Sequence, residues 1–207
     1  MNPPVILLIE GFAFIVLFGL ISLLRREGLS MRFAIETVIL TLAASGFCAL
    51  TGYSFHPVLF LVLIYLITMR VRLLVDLGNI FAQRTRFAQA EGLYRLALRA
   101  WPDPSSRLIV QVNQSTACLQ QNKLDEATSK LTEILQQAGQ GYLGIKYEAA
   151  AHYNLGVAYL RQNMDARATA EFNAAIDTFP ASEYARRAET ALERQRRKNT
   201  SATSKEN

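Results

Sequence analysis

Residues 152–180 read HYNLGVAYLRQNMDARATAEFNAAIDTFP. The spacing fits two antiparallel helices, with the small residues Gly156 and Ala168 where the backbones come close and larger side chains filling the space between layers. Asn163 closes the first helix and Pro180 ends the second. One such pair cannot bury its apolar face alone, so the stretch predicts similar pairs beside it in the chain.

Two further copies are present upstream. Leu74, Leu77, Gly78, Phe81, Ala90, Tyr94, Ala97 and Pro102 repeat the pattern over residues 71–104. A weaker copy covers 108–141, with Ser115, Cys118, Ala127, Leu131 and Ile134, Gly139 in place of the proline, and Gln111 and Gln114 departing from the pattern. The alanine markers Ala90, Ala127 and Ala168 stand 37 and 41 residues apart, so the joins carry short insertions, the larger one holding Gly139, Gly141 and Gly144.

In the third copy His152, Leu155, Gly156, Tyr159, Ala168, Phe172, Ala175 and Pro180 stand where the tetratricopeptide repeat has its framework residues, and the chain resembles that family over roughly its second half. The resemblance implies an α-solenoid of three helix pairs, 71–104, 108–141 and 149–182, closed by a capping helix at 183–198 whose apolar side is Tyr184, Ala188, Ala191 and Leu192. It also implies that the first helix of each pair lines a concave, partner-binding face. That face would present Val75, Asn79 and Gln83, then Val112, Asn113, Thr116 and Gln120, then Tyr153, Asn154, Val157 and Arg161. Such a surface is rich in amides that can pair with the backbone of an extended peptide. Chaperone-binding members clamp a terminal carboxylate with basic residues and asparagines. Asn79 and Asn113 match the asparagines, but Val75, Ala150 and Asn154 occupy the three basic positions, so that mode is disfavoured.

A chain of 207 residues that is 51% hydrophobic carries more apolar residues than such a solenoid needs, and the excess lies at its start. Val5–Leu24 is broken only by Glu10, and Phe33–Leu50 only by Glu36; both have the length of a transmembrane helix. A third apolar run, Tyr53–Met69, is expected to span as well, making residues 1–70 a membrane domain. The residues before the first run carry no Lys or Arg, which favours a retained anchor over a cleaved signal peptide.

Arg25, Arg26 and Arg32 lie between the first two runs, Arg70 and Arg72 follow the third, and the intervening GYSFH turn has no basic residue. The positive-inside rule then places the repeats in the cytoplasm and the N-terminus outside, which requires an odd number of spans. No Gly-, Pro- or Ser-rich linker separates Met69 from the first repeat, so one continuous helix is expected to run from the bilayer into it.

The remaining signals exclude more than they propose. From Arg70 onward nineteen basic residues mix with fourteen acidic ones, a solvated helical surface and not a nucleic-acid stripe. Cys48 and Cys118 have neither the number nor the spacing for a disulfide framework or a zinc site and read as core residues. No metal-binding, phosphate-binding or nucleophile motif is present, and Ser54 with His56 in a short turn makes no catalytic set, so no cofactor, small-molecule substrate or enzymatic activity is expected.

Glu10 is the one intramembrane carboxylate without a same-helix cation, since Glu36 follows Arg32 by four residues. Glu10 could contact another membrane subunit, carry a proton, approach His56, or bond to the neighbouring helices, and a Thr41, Ser45, Ala49 face could pack in the membrane. Residues 199–207 read as a disordered polar tail. The expected protein is therefore all-α: a multi-pass membrane anchor carrying a scaffold that binds a membrane-associated partner, with a permanent complex subunit or an export-side chaperone as alternatives.

Overall fold

Three prolines open helices: Pro3, Pro57 and Pro104 each stand at a first helical position, where a missing N–H costs no hydrogen bond and the fixed φ is already helical. The structure, a computed structural model, describes residues 2–24, 31–53 and 55–206. Its regular elements among those residues are all helical: α1 (Pro3–Leu24), α2 (Met31–Thr51), α3 (Pro57–Thr68), α4 (Arg70–Gln83), α5 (Phe87–Arg99), α6 (Pro104–Gln120), α7 (Leu124–Gln137), α8 (Ile145–Arg161), α9 (Asp165–Thr178) and α10 (Glu183–Glu206), with a widened turn at Ala138–Tyr142. The chain divides into two compact units, Met1–Arg107 and Leu108–Asn207. The first helix pair, α4–α5, thus falls with the N-terminal helices, whereas the sequence boundary stands at residue 70.

In the first unit α1 and α2 are long and apolar enough to cross a membrane. They pack through small residues: a Cβ added at Gly11 would lie 2.1 Å from Thr41 Oγ1, and the Ser45 hydroxyl donates to the Pro4 carbonyl at 3.0 Å. Thr41 and Ser45 are therefore used inside the chain and do not form an open face for another subunit. Phe14, Phe33, Phe60 and Ile64 fill the space between α1, α2 and α3, while Leu8, Phe12, Leu17, Ile39 and Leu42 face outward.

The third run departs from expectation. Its helix, α3, has only 12 residues, about 18 Å of rise, and α4 leaves it at 72°. Only the bent pair taken together is long enough to be a span. The expected continuous helix is thus broken at Met69, although no linker intervenes: Met69 N–H donates to Tyr65 O and Leu73 N–H to Met69 O, both at 2.9 Å. Arg70 explains how a bend without Gly or Pro is held. Its Nη1 donates to the Ile67 carbonyl at 2.7 Å, its Nε to the Ala100 carbonyl at the end of α5 at 2.9 Å, and its guanidinium bridges to Glu36 of α2.

One turn geometry recurs in all three helix pairs. Thr85, Asn122 and Asn163 have φ of 59°, 60° and 59°. The next residue's N–H reaches back to Phe81 O, Cys118 O and Tyr159 O in turn, each at 2.9 Å. This is the left-handed C-terminal cap that satisfies the last carbonyls of a helix.

The repeated close approach is also present. A Cβ at Gly78 would lie 2.5 Å from the Tyr94 ring, and one at Gly156 would lie 2.7 Å from the Phe172 ring. The second pair carries Ser115 and Leu131 at these positions, both buried; a side chain shorter than an aromatic leaves room for the serine. Gly141, at φ 81°, supplies the turn between α7 and α8. Ser182 caps α10 by accepting from Ala185 N–H at 3.0 Å. Helix α10 continues to Glu206, past the Lys198 end expected from sequence, with no Gly or Pro to stop it.

Candidate protein-binding face

In the second unit α6 and α8 lie side by side and are joined by the polar residues the sequence assigns to a binding face. Asn154, 8% exposed, donates to Thr116 Oγ1 at 2.9 Å. Thr116 in turn donates to Val112 O at 2.9 Å. Arg161 Nη1 donates to Leu119 O at 2.7 Å, and Asn113 Nδ2 to Ile109 O at 2.8 Å. Asn154 and Arg161 tie α8 to α6 while Asn113 and Thr116 bond within α6, so much of the amide capacity expected to meet a peptide is already engaged. Gln120 is exposed, and Val157 is half-buried against Phe172 and Ala168.

Val112 is a correction. It is 3% exposed and packs with Leu108, Leu119 and Leu131, because α6 buries apolar side chains at Leu108, Val110 and Val112 along its first half.

The first unit holds the other two assigned residues. Asn79 Oδ1 accepts a 2.7 Å hydrogen bond from the Tyr94 hydroxyl, and Gln83 is exposed. Tyr94 is enclosed, and burial pushes its phenol up to about 12. Val75 is in the core at 4% exposure. Of the positions at which a carboxylate clamp needs cations, Val75 and Ala150 are buried and apolar, and Asn154 is engaged with Thr116.

Tyr153 leads to the feature that sequence reasoning missed. Its ring stacks obliquely on Phe172 and Tyr184, with centroids 5.9 and 6.0 Å away. It forms one wall of a pocket of about 490 Å³ whose other walls are Glu183, Arg186, Arg187, Thr190, Ala191 and Arg194 of α10. Arg187 is paired with Glu183. Among the described residues Arg186 and Arg194 have no carboxylate partner. Arg186, Thr190 and Arg194 recur every four residues, hence on one stripe of a helix, a signal available in the sequence once α10 is known to face Tyr153.

Elsewhere, Glu10 has a buried oxygen without a hydrogen-bond partner among the described residues. Ser54, Arg25 and Arg26 lie outside the described residues. Cys48 and Cys118 are buried free thiols, and burial pushes that of Cys118 up.

No family model matches the chain, and no curated protein matches it. Among solved structures it is similar to the N-terminal domain of stress-induced protein-1 (STI-1) from C. elegans, at 21% identity over 60% of this chain and 95% of that one, with a TM-score of 0.48. The functional reading is carried by this chain's own residues.

Proposed function

We propose that this chain is a non-catalytic, membrane-anchored scaffold that holds an acidic segment of a membrane-associated partner protein at the cytoplasmic face. The observation that carries this reading is the Tyr153 pocket, where an aromatic wall meets Arg186 and Arg194, which have no carboxylate partner among the described residues. An arginine pair beside an aromatic ring suits carboxylates presented by a peptide, through charge-assisted hydrogen bonds and ring contact. The length and apolar character of α1 and α2 support the anchor. The arginines Arg25, Arg26, Arg32, Arg70 and Arg72 support a cytoplasmic repeat region with the N-terminus outside, an orientation that requires the 12-residue α3 to complete a third crossing. Assembly of a membrane protein complex is the role that fits such a scaffold.

A permanent subunit is less well supported, because Thr41 and Ser45 are already engaged against α1. An export-side chaperone would need the opposite orientation. Charge reversal at the pocket, Arg186→Glu with Arg194→Glu, should lower partner recovery about tenfold or more, since a like-charge contact replaces an attractive one; unchanged recovery would remove the pocket from the account. Orientation is tested with Asn173→Cys, an exposed site in a chain whose native thiols are buried. A membrane-impermeant thiol reagent should leave it unlabelled in intact cells and label it after lysis.

A further inference from the structure

Trp101 is the chain's single tryptophan, and it is held out of the fold. It is 78% exposed, at φ 51°, between Ala100, whose carbonyl is bound by Arg70, and the buried Pro102. A bulky residue in the left-handed region is strained, so the turn presents the indole at a cost in backbone energy. Leu96 and Arg99, near the end of α5, are also exposed.

The backbone that carries this indole is tied to α2 by a short chain of hydrogen bonds. Arg70 Nε binds Ala100 O at 2.9 Å, while its two terminal nitrogens bind the Glu36 carboxylate at 2.6 and 3.0 Å. Arg32, one turn before Glu36, binds the same carboxylate at 2.8 Å. The Trp101 Cα is one peptide, about 3.8 Å, beyond that of Ala100. Trp101 is therefore tethered near the first two turns of α2, the end at which a spanning helix leaves the hydrocarbon for the headgroups.

We infer that Trp101 is an interfacial anchor, its indole seated at the boundary between phospholipid headgroups and acyl chains of the cytoplasmic leaflet, with Leu96 beside it and Arg99 meeting lipid phosphate. This rests on the membrane reading above and adds that the α4–α5 pair lies against the bilayer. An indole has an apolar body and one N–H donor, which suits a layer that is apolar on one side and hydrated on the other. The neighbouring arginines favour anionic headgroups.

The test uses the full-length chain in vesicles of phosphatidylcholine and phosphatidylglycerol, in which the only tryptophan emission is that of Trp101. The expected result is co-flotation with the vesicles, blue-shifted emission, and quenching that is stronger with phosphatidylcholine brominated near the headgroup end of its acyl chains than near their tips. A chain that floats but emits as in water, or that emits blue-shifted light unquenched by either lipid, overturns the inference alone; the latter would mean that protein, such as a second copy, covers the ring. A chain that does not float overturns the membrane reading and this inference with it.

Discussion

Arg70 holds Glu36 across 34 positions of sequence through two hydrogen bonds, of 2.6 and 3.0 Å. Both side chains are mostly enclosed, 27% and 23% exposed, and the same guanidinium binds the Ile67 and Ala100 carbonyls. Removing Arg70 leaves Glu36 with Arg32 alone and takes this donor from the Ile67 and Ala100 carbonyls. Arg70→Ala should therefore destabilise the chain by about 3 kcal/mol, measured by denaturant unfolding in detergent micelles. Arg70→Lys should recover little of this, because one ammonium cannot reproduce a planar fork that serves three groups. A loss below about 0.5 kcal/mol, the size expected of an exposed pair, would mean that the bend at Met69 is held by something else.

The contacts of Gly78 and Gly156 with aromatic rings predict size-dependent coupling. Gly156→Ala places a Cβ 2.7 Å from the Phe172 ring and should cost about 1–3 kcal/mol. Phe172→Leu in the same chain should relieve part of that penalty, since Ser115 and Leu131 coexist at the corresponding positions. A double-mutant cycle read by thermal unfolding checks this. Additive effects would contradict the packing described.

Thr85 is the β-branched member of three equivalent left-handed caps, the others being asparagines. Thr85→Asn should stabilise by up to about 1 kcal/mol, because asparagine tolerates that conformation better. Among the described residues its hydroxyl bonds the adjacent Arg84 carbonyl, so little is lost.

Tyr94 gives an alkaline signature. Its phenol is pushed up from 10.0 to about 12 by burial, so between these values the unfolded chain loses a proton that the folded chain keeps, and stability falls as pH rises. Below about pH 10 both states are protonated and Tyr94 contributes no pH dependence. Tyr94→Phe keeps the ring beside Gly78 but removes the proton and the bond to Asn79. Comparing its unfolding free energy with that of wild type across this range should show a flatter alkaline decline.

The helix pairs were legible because their determinants are local. Gly78 with Tyr94, Gly156 with Phe172 and the turn asparagines all lie within one pair, at spacings that helical geometry imposes. The break at Met69 was not legible: it contains no residue that stops a helix, and what holds it, the reach of Arg70 to Glu36 and Ala100, spans long sequence separations. For the same reason Glu36 read as a simple pair with Arg32. Val112 was misplaced because repeat position alone put it on the open face, while the apolar run through Leu108 and Val110 draws it inward. The Tyr153 pocket needed the packing of α10 to be known, although the four-residue spacing of Arg186, Thr190 and Arg194 was visible.

The most direct test of the scaffold reading is photo-crosslinking in living cells, with a reactive residue at Tyr153 and, as control, at exposed Asn173 on α9. The account predicts one dominant adduct from Tyr153, to a membrane-associated protein carrying an acidic segment, absent from Asn173 and lost with Arg186→Glu and Arg194→Glu. Equal adducts from both positions, or none from Tyr153, would contradict it.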